Sequence, residues 1–285
     1  MTIRKVLVSG ADGKIGRVTV EELIDHGYDV TPADKERKQR WDTQLVDFED
    51  LGQVIGVMRD HDAVIHLAAI PSPIAHTADV VFRNNVISTF NVLEAAAILD
   101  IKHVVLASSI SALGYAFRFR HFNPVYLPID ESHPTLSQDC YGLSKMIGET
   151  LAEGYLRRLP DMSLASLRFT TVIDDEAQGW LQAARSGPTR DDERYGAFWT
   201  FVDVRDAASA CRLAMAYSVP GHEAFNICAP STYREEDTRA LLARHFPGGY
   251  PVASELKGRA SPVDPRKAER LLGWRARYNW DRSAF

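Results

Sequence analysis

The sequence is poor in cysteine: Cys140, Cys211 and Cys228 are the three in 285 residues. They are far apart and form no C-x-x-C pair, which excludes a disulfide framework and suits a reducing compartment. No apolar run approaches the roughly 20 residues needed to cross a bilayer. The N-terminal "MTIRKVLVSG" enters a strand pattern directly, with no apolar signal core and no cleavage site. Positive charge is not in excess. Net charge is −5, which gives no sign of a nucleic-acid binder. The basic clusters "KERKQR" (35–40) and "YLRRLP" (155–160) read as solvated faces. The nine histidines contain no H-E-x-x-H and no cluster at metal-ligand spacing, so no metal is expected. Internal repeats, low-complexity tracts and flexible linkers are missing too. A soluble, cytoplasmic protein is the expectation these absences leave.

Hydrophobic residues are 45% of the chain, enough for one large core or for one domain with an added lobe. Strand-like and helix-like segments alternate. Short apolar runs at 5–10, 62–69, 102–109 and 163–170 read as buried strands, and 28–34 as an extended segment weakened by Pro32. Helical periodicity fills 14–27, 48–60, 77–100 and 141–159. This order predicts an α/β fold, a doubly wound parallel sheet with helices on both faces. After residue 170 the pattern loosens. A short helix and a charged loop are expected over 179–199, and a strand followed by a helix over 200–216. A strand over 223–229 and helices over 234–246 and 264–274 complete the chain. The expected division is a nucleotide-binding domain over 1–172 and a small substrate-binding lobe over 173–285 that returns elements to the sheet.

The first strand-to-helix turn, "VLVSGADGKIG" (6–16), carries Gly10, Gly13 and Gly16. Glycines there let backbone N–H groups and a helix N-terminus approach a pyrophosphate. Asp34 ends the second strand. A carboxylate at that place accepts from the hydroxyls of an adenosine ribose and repels a 2′-phosphate, which favours NAD over NADP. Lys35 and Arg37 blur that reading, because basic residues beside it can hold a phosphate. In "DCYGLSK" (139–145), Tyr141 and Lys145 lie one helical turn apart on one face.

The spacing Gly-x-x-Gly-x-x-Gly, with "HLAA" (66–69), "NNVISTFNVLEAA" (84–96), "VVLASS" (104–109) and "YGLSK" (141–145), resembles the extended short-chain dehydrogenase/reductase family. Its members are NAD-dependent sugar epimerases, dehydratases and dehydrogenases on a Rossmann-type fold. The likeness is clear over about residues 3–172 and weaker through "TFVDVRDAA" (200–208) and "AFNI" (224–227).

The resemblance implies roles. Gly10, Asp12, Gly13, Lys14, Ile15 and Gly16 would form the phosphate turn. Asp47 and Phe48 would sit beside the adenine, and Leu67, Ala68 and Ala69 would line the cofactor cleft. Asn85 would stand on the long helix near the active site, and Ser108 would join the cofactor contacts. Tyr141 would be the catalytic base. Lys145 would lower its pKa with help from the positive nicotinamide, and would also touch the nicotinamide ribose. The catalytic serine is Ser109 when aligned from the strand. Aligned from "ALGY", which replaces the usual "VYG", the position falls on Ile110, with Ser111 one residue further on. Ser111, Ser72 and Arg194 are the remaining candidates for substrate contact. The long connection 116–134 could cover the substrate with its arginines and aromatics.

Three function classes follow: a dehydrogenase of a small sugar-like alcohol, a nucleotide-sugar epimerase or dehydratase, and a non-catalytic NAD sensor. The tyrosine–lysine pair argues against the sensor. Roughly thirty residues separate "SLRFT" from "TFVDV", little chain for a uridine-diphosphate site. The short lobe is more similar to uronate dehydrogenases, so the dehydrogenase is preferred. A homodimer through the helices at 77–100 and 141–159 is expected from the same resemblance.

Overall fold

A computed structural model describes residues 3–38, 41–187, 198–281 and 283–284. The chain runs β1 (Lys5–Ser9), α1 (Lys14–Asp25), β2 (Asp29–Asp34), β3 (Gln44–Leu45), α2 (Leu51–Met58) and β4 (Ala63–His66). Next come α3 (Ala78–Leu99), β5 (His103–Ser109), a short 3-10 turn (Ile110–Leu113), α4 (Cys140–Arg158) and β6 (Ser163–Phe169). The last third holds β7 (Thr171–Ile173), α5 (Gln178–Ser186), β8 (Phe201–Asp203), α6 (Val204–Ala216), β9 (Gly221–Ile227), α7 (Thr238–His245) and α8 (Arg266–Leu272).

Among the described residues, seven strands form one sheet in the order β3-β2-β1-β4-β5-β6-β9, every pair parallel. The chain starts in the middle at β1, winds outward to β3, then crosses back to β4 and winds the other way. The crevice at this reversal, beyond the carboxyl ends of β1 and β4, is where such sheets bind ligands. Ser9 and His66 face each other in register there.

Alternation builds the two cores. Val6, Val8, Ile65 and Val105 point to the face covered by α1, α6 and α8. Leu7, Val64, Val104 and Leu106 point to the face covered by α2, α3 and α4. With both faces covered, β4 and β6 are buried at every residue, which is why they read as continuous apolar runs. Each buried aliphatic side chain contributes about 1.5–3 kcal/mol relative to exposure. Pro32 is tolerated because β3 pairs with β2 at Ala33 and Asp34 alone.

The last third contributes to both parts of the molecule. β9 closes the sheet beside β6. β7 and β8 pair with each other, and a separate aromatic core of Tyr115, Phe198, Phe201 and Phe246 packs around them and the 3-10 turn. Two short strands, β3 and β7, carry no readable periodicity at two and three residues. The helix expected over 234–246 starts only at Thr238. Asp237 caps it, accepting from the backbone N–H groups of Arg239 and Ala240, so residues 234–236 stay outside.

Candidate active site

Two adjoining cavities occupy the crevice. One, of about 480 Å³, runs from the α1 turn to the ends of β5, β6 and α4. The other, of about 270 Å³, lies on the β2 side, and the two share Gly10, Gly13, Leu67, Ala69 and Pro71. The turn between β1 and α1 is their common floor. Gly10 takes φ +66°, and a Cβ there would sit 2.6 Å from the backbone nitrogen of Ala68. A Cβ on Gly16 would overlap the Gly10 carbonyl oxygen. The turn therefore needs glycine for its own closure. α2, α4, α6 and α7 each begin with an aspartate capping the first turn, whereas α1 begins at Gly13 with no side-chain cap. An uncapped helix N-terminus facing a cavity suits an anionic pyrophosphate, so the residues present fit a dinucleotide.

On the β2 side, Asp34, Lys35, Lys38, Asp47 and Phe48 line the smaller cavity. Asp34 Oδ2 accepts from the Asp12 backbone N–H at 3.1 Å, and Oδ1 from that of Lys35 at 2.8 Å. These bonds fix the carboxylate at the cavity wall. Arg37 is turned away: its guanidinium donates twice to the Thr43 carbonyl, at 3.1 and 2.8 Å. The Phe48 ring lies against the buried His66, with centroids 5.7 Å apart.

At the other end, Ser109, Tyr141 and Lys145 line the larger cavity together with Ser108 and Ser111. Asp139 starts α4 by accepting from the N–H groups of Tyr141 and Gly142 at 2.9 and 3.0 Å, a cap worth about 1 kcal/mol. Gly142 lets the helix meet the 3-10 turn, since a Cβ there would come within 2.5 Å of the Ser111 carbonyl oxygen. Tyr141 is thereby brought next to Ser109. Lys145, one turn on, donates from Nζ to the Ala107 carbonyl at 2.8 Å. Burial pushes the Tyr141 phenol up to about 12, a side-chain hydrogen bond with Ser109 pulls the other way, and Asp139 adds to the rise. Burial pushes the Lys145 ammonium down to about 8. The resemblance implies a phenol lowered by the lysine together with the positive nicotinamide. In the protein alone, desolvation of both groups dominates.

Beneath this row, the Ser108 hydroxyl donates to Glu149 Oε1 at 2.6 Å. Glu149 in turn receives a two-pronged bond from Arg168, at 2.9 and 2.7 Å. Burial opposes ionisation of Glu149, but the arginine and serine outweigh it and hold the carboxyl below its usual range. Breaking such a buried pair from one side costs about 3–5 kcal/mol. Neither residue was singled out in the sequence, where an isolated Glu or Arg carries no signal.

The other expected residues fall into three groups. Lys14, Ile15, Leu67 and Ala69 line the larger cavity, and Ala68 the smaller one. Lys14 also pairs with Asp174 at 3.2 Å. Three residues are engaged with other parts of the chain instead. Asp12 accepts from the Thr43 hydroxyl at 3.0 Å and so ties the phosphate turn to the residue just before β3. Asn85 holds Ile70 by bonds to its N–H and carbonyl, at 2.8 and 3.1 Å, and reaches Ser144 at 3.1 Å. Ser72 accepts from the Ile74 N–H at 3.4 Å. Arg194 lies outside the described residues. Lining residues not singled out are Pro71, Thr170, Thr171 and Val172. Phe117, from the connection suspected of covering the substrate, lines the same cavity.

Among the described residues, no helix is long and apolar enough to cross a membrane, and no cluster of three metal-ligating side chains occurs. The three thiols are unpaired.

The chain is similar to known proteins along most of its length. An L-arabinose 1-dehydrogenase (NAD(P)(+)) of Haloferax volcanii is 32% identical over 238 residues, 76% of this chain and 84% of that protein. A putative UDP-glucose 4-epimerase of Methanocaldococcus jannaschii is 33% identical over 186 residues, 60% of this chain, and the match spans just over half, 56%, of the epimerase. The structure of MoeE5 in complex with UDP-glucuronic acid and NAD superposes with a TM-score of 0.73 at 24% identity, covering 98% of this chain and 96% of that one. The family model described as the NAD dependent epimerase/dehydratase family matches residues 6–228. With its glycine turn, doubly wound sheet and tyrosine–lysine helix, the chain belongs to the NAD dependent epimerase/dehydratase family.

Proposed function

We propose that this chain is an NAD-dependent dehydrogenase that oxidises a hydroxyl of a small sugar-like substrate, a uronate among the candidates. The observation that carries the reading is the convergence of Ser109, Tyr141 and Lys145 on the cavity that begins at the glycine turn. NAD, when bound, accepts a hydride and places a positive ring in the cleft. Gly10, Gly13 and Gly16 would hold its phosphates, and Asp34 its adenosine ribose. Ser109 orients the substrate hydroxyl. Tyr141 takes the hydroxyl proton, and Lys145 favours the phenolate. The phenol must fall well below about 12 for this. Excluding water and adding positive charge beside it both act in that direction.

The arabinose dehydrogenase is matched over 84% of its length, which supports a substrate without a nucleotide. The second reading is a nucleotide-sugar epimerase or dehydratase. The 33% identity to the putative UDP-glucose 4-epimerase supports it. Product analysis separates the two. The wild-type protein is incubated with NAD and free sugars, uronates or nucleotide sugars. Stoichiometric NADH with a free sugar or uronate is the expected result. Sugar interconversion without net NADH would replace the dehydrogenase by the epimerase.

The assembly is proposed to be a homodimer in the cytoplasm. Unpaired thiols suit that compartment. α3 leaves Phe82, Ile87, Phe90 and Ile98 exposed on a helix already packed against α4, an apolar face that suits a second copy.

A further inference from the structure

Phe117 is held in a conformation that a bulky side chain rarely adopts. Its φ is +56°, in the left-handed region. Such a backbone persists only when its surroundings impose it, and here they do. On one side, Arg118 Nη1 donates to the Tyr115 carbonyl at 2.8 Å, and its guanidinium lies 5.2 Å from the centre of the Phe246 ring. On the other side, the N–H groups of Phe119 and Arg120 both donate to Gln138 Oε1, at 3.0 and 2.8 Å. Gln138 Nε2 returns a bond to the Arg120 carbonyl at 3.1 Å. Gln138 immediately precedes the aspartate that caps α4. The strap 117–120 is thus tied to the start of the helix that carries Tyr141.

The strap delivers one thing to the site: the Phe117 ring. It lines the larger cavity and meets the Tyr141 ring edge to face, centroids 6.5 Å apart and planes at 87°. The lining of that cavity combines apolar groups, among them Phe117, Ala116 and Pro71, with hydroxyl-bearing ones, among them Ser109, Ser111 and Thr170. A pyranose has the matching character: an apolar C–H face and a rim of hydroxyls. A glycine at 117 would suit φ +56° better and the strap's bonds would be unchanged, so the phenylalanine is not there for the backbone's sake.

We infer that Phe117 is a specificity-determining residue, an aromatic wall against which the apolar face of a free pyranose packs, with its reacting hydroxyl turned to Ser109 and Tyr141. The inference rests on the dehydrogenase reading and adds the binding mode of its substrate. The wall fixes which face of the ring is presented and acts on substrate affinity rather than on proton transfer.

The test compares wild type, Phe117→Gly and Phe117→Tyr with NAD and a panel of free aldoses, uronates and nucleotide sugars. For the free sugar that the wild type oxidises best, Phe117→Gly should raise KM at least tenfold and leave kcat within about threefold. Its KM for NAD should not move. Phe117→Tyr should restore the sugar KM to within about threefold of wild type. An unchanged sugar KM in Phe117→Gly overturns the inference while the dehydrogenase reading stands. A loss confined to kcat also overturns it, because the ring would then serve to orient Tyr141. A wild type that acts on nucleotide sugars alone removes the dehydrogenase reading itself, and the inference with it.

Discussion

The Lys145 ammonium stands 5.6 Å from the centre of the Tyr141 ring, and its hydrogen bond goes to the Ala107 carbonyl. Both side chains are at least nine-tenths buried, at 8% exposure each. The fold itself thus assembles the pair, in surroundings that oppose ionisation of both groups.

That opposition predicts a trade between stability and function. A lysine whose pKa falls from 10.5 to about 8 on folding binds its proton less tightly in the folded state. The unfolded chain therefore holds more protons between about pH 8 and 10.5, and this group's contribution to stability improves as pH rises through that window. Below pH 8 the full cost remains, on the order of 3 kcal/mol. Lys145→Met removes it and loses one hydrogen bond, worth about 1 kcal/mol. The variant should be more stable than wild type at pH 7 by about 2 kcal/mol, and the gain should shrink towards pH 10. Its turnover and NAD affinity should both fall. Denaturant melts at the two pH values check the first part, and a lower stability at pH 7 would contradict it.

Asp34 predicts the cofactor. Its carboxylate is fixed in the β2-side cavity by two backbone donors, while Arg37 is spent on the Thr43 carbonyl. NAD should bind tighter than NADP, and Asp34→Ala should narrow the gap by weakening the first and admitting the second. Calorimetric titration of both cofactors measures this. Equal affinities in the wild type would mean that Lys35 and Lys38, which line the same cavity, offset the aspartate.

The exposed side of α3 predicts the assembly. Phe90 is 39% exposed and its ring lies 6.3 Å from that of Tyr155 on α4. Sedimentation at micromolar concentration should give a dimer. Phe90→Glu should shift it to monomer with the fold retained by circular dichroism. A wild-type monomer would leave that face without the proposed partner.

Much of this was legible in the sequence because it is periodic or local. The continuous apolar runs of β4 and β6 require a sheet covered on both faces, and they have one. The glycine turn and the tyrosine–lysine spacing are local patterns, and the fold brings both to one cavity. Residues that act through distant partners were not legible. Glu149 and Arg168 lie 19 positions apart on α4 and β6, and only the packing of helix on sheet brings them together beneath Ser108. Asp12 belongs to the phosphate turn by spacing, yet its side chain accepts from Thr43, 31 positions away. Phe117 was one aromatic among several in an irregular connection, and its left-handed backbone leaves no mark on composition.

The catalytic assignment stands or falls on one hydroxyl. Tyr141→Phe keeps the ring against Phe117 and removes the only atom the proton-transfer step uses. With the best substrate of the wild type, kcat should fall by about a thousandfold or more, within reach of the 10²–10⁴ that general-base groups contribute. NAD affinity and Tm should stay near wild type, since the ring keeps its packing against Ile70 and Val81 and the hydroxyl supplies no phosphate contact. A variant that keeps near wild-type turnover would contradict the account, and Tyr141 and Lys145 would then be a buried aromatic and a buried cation that merely share a helix face.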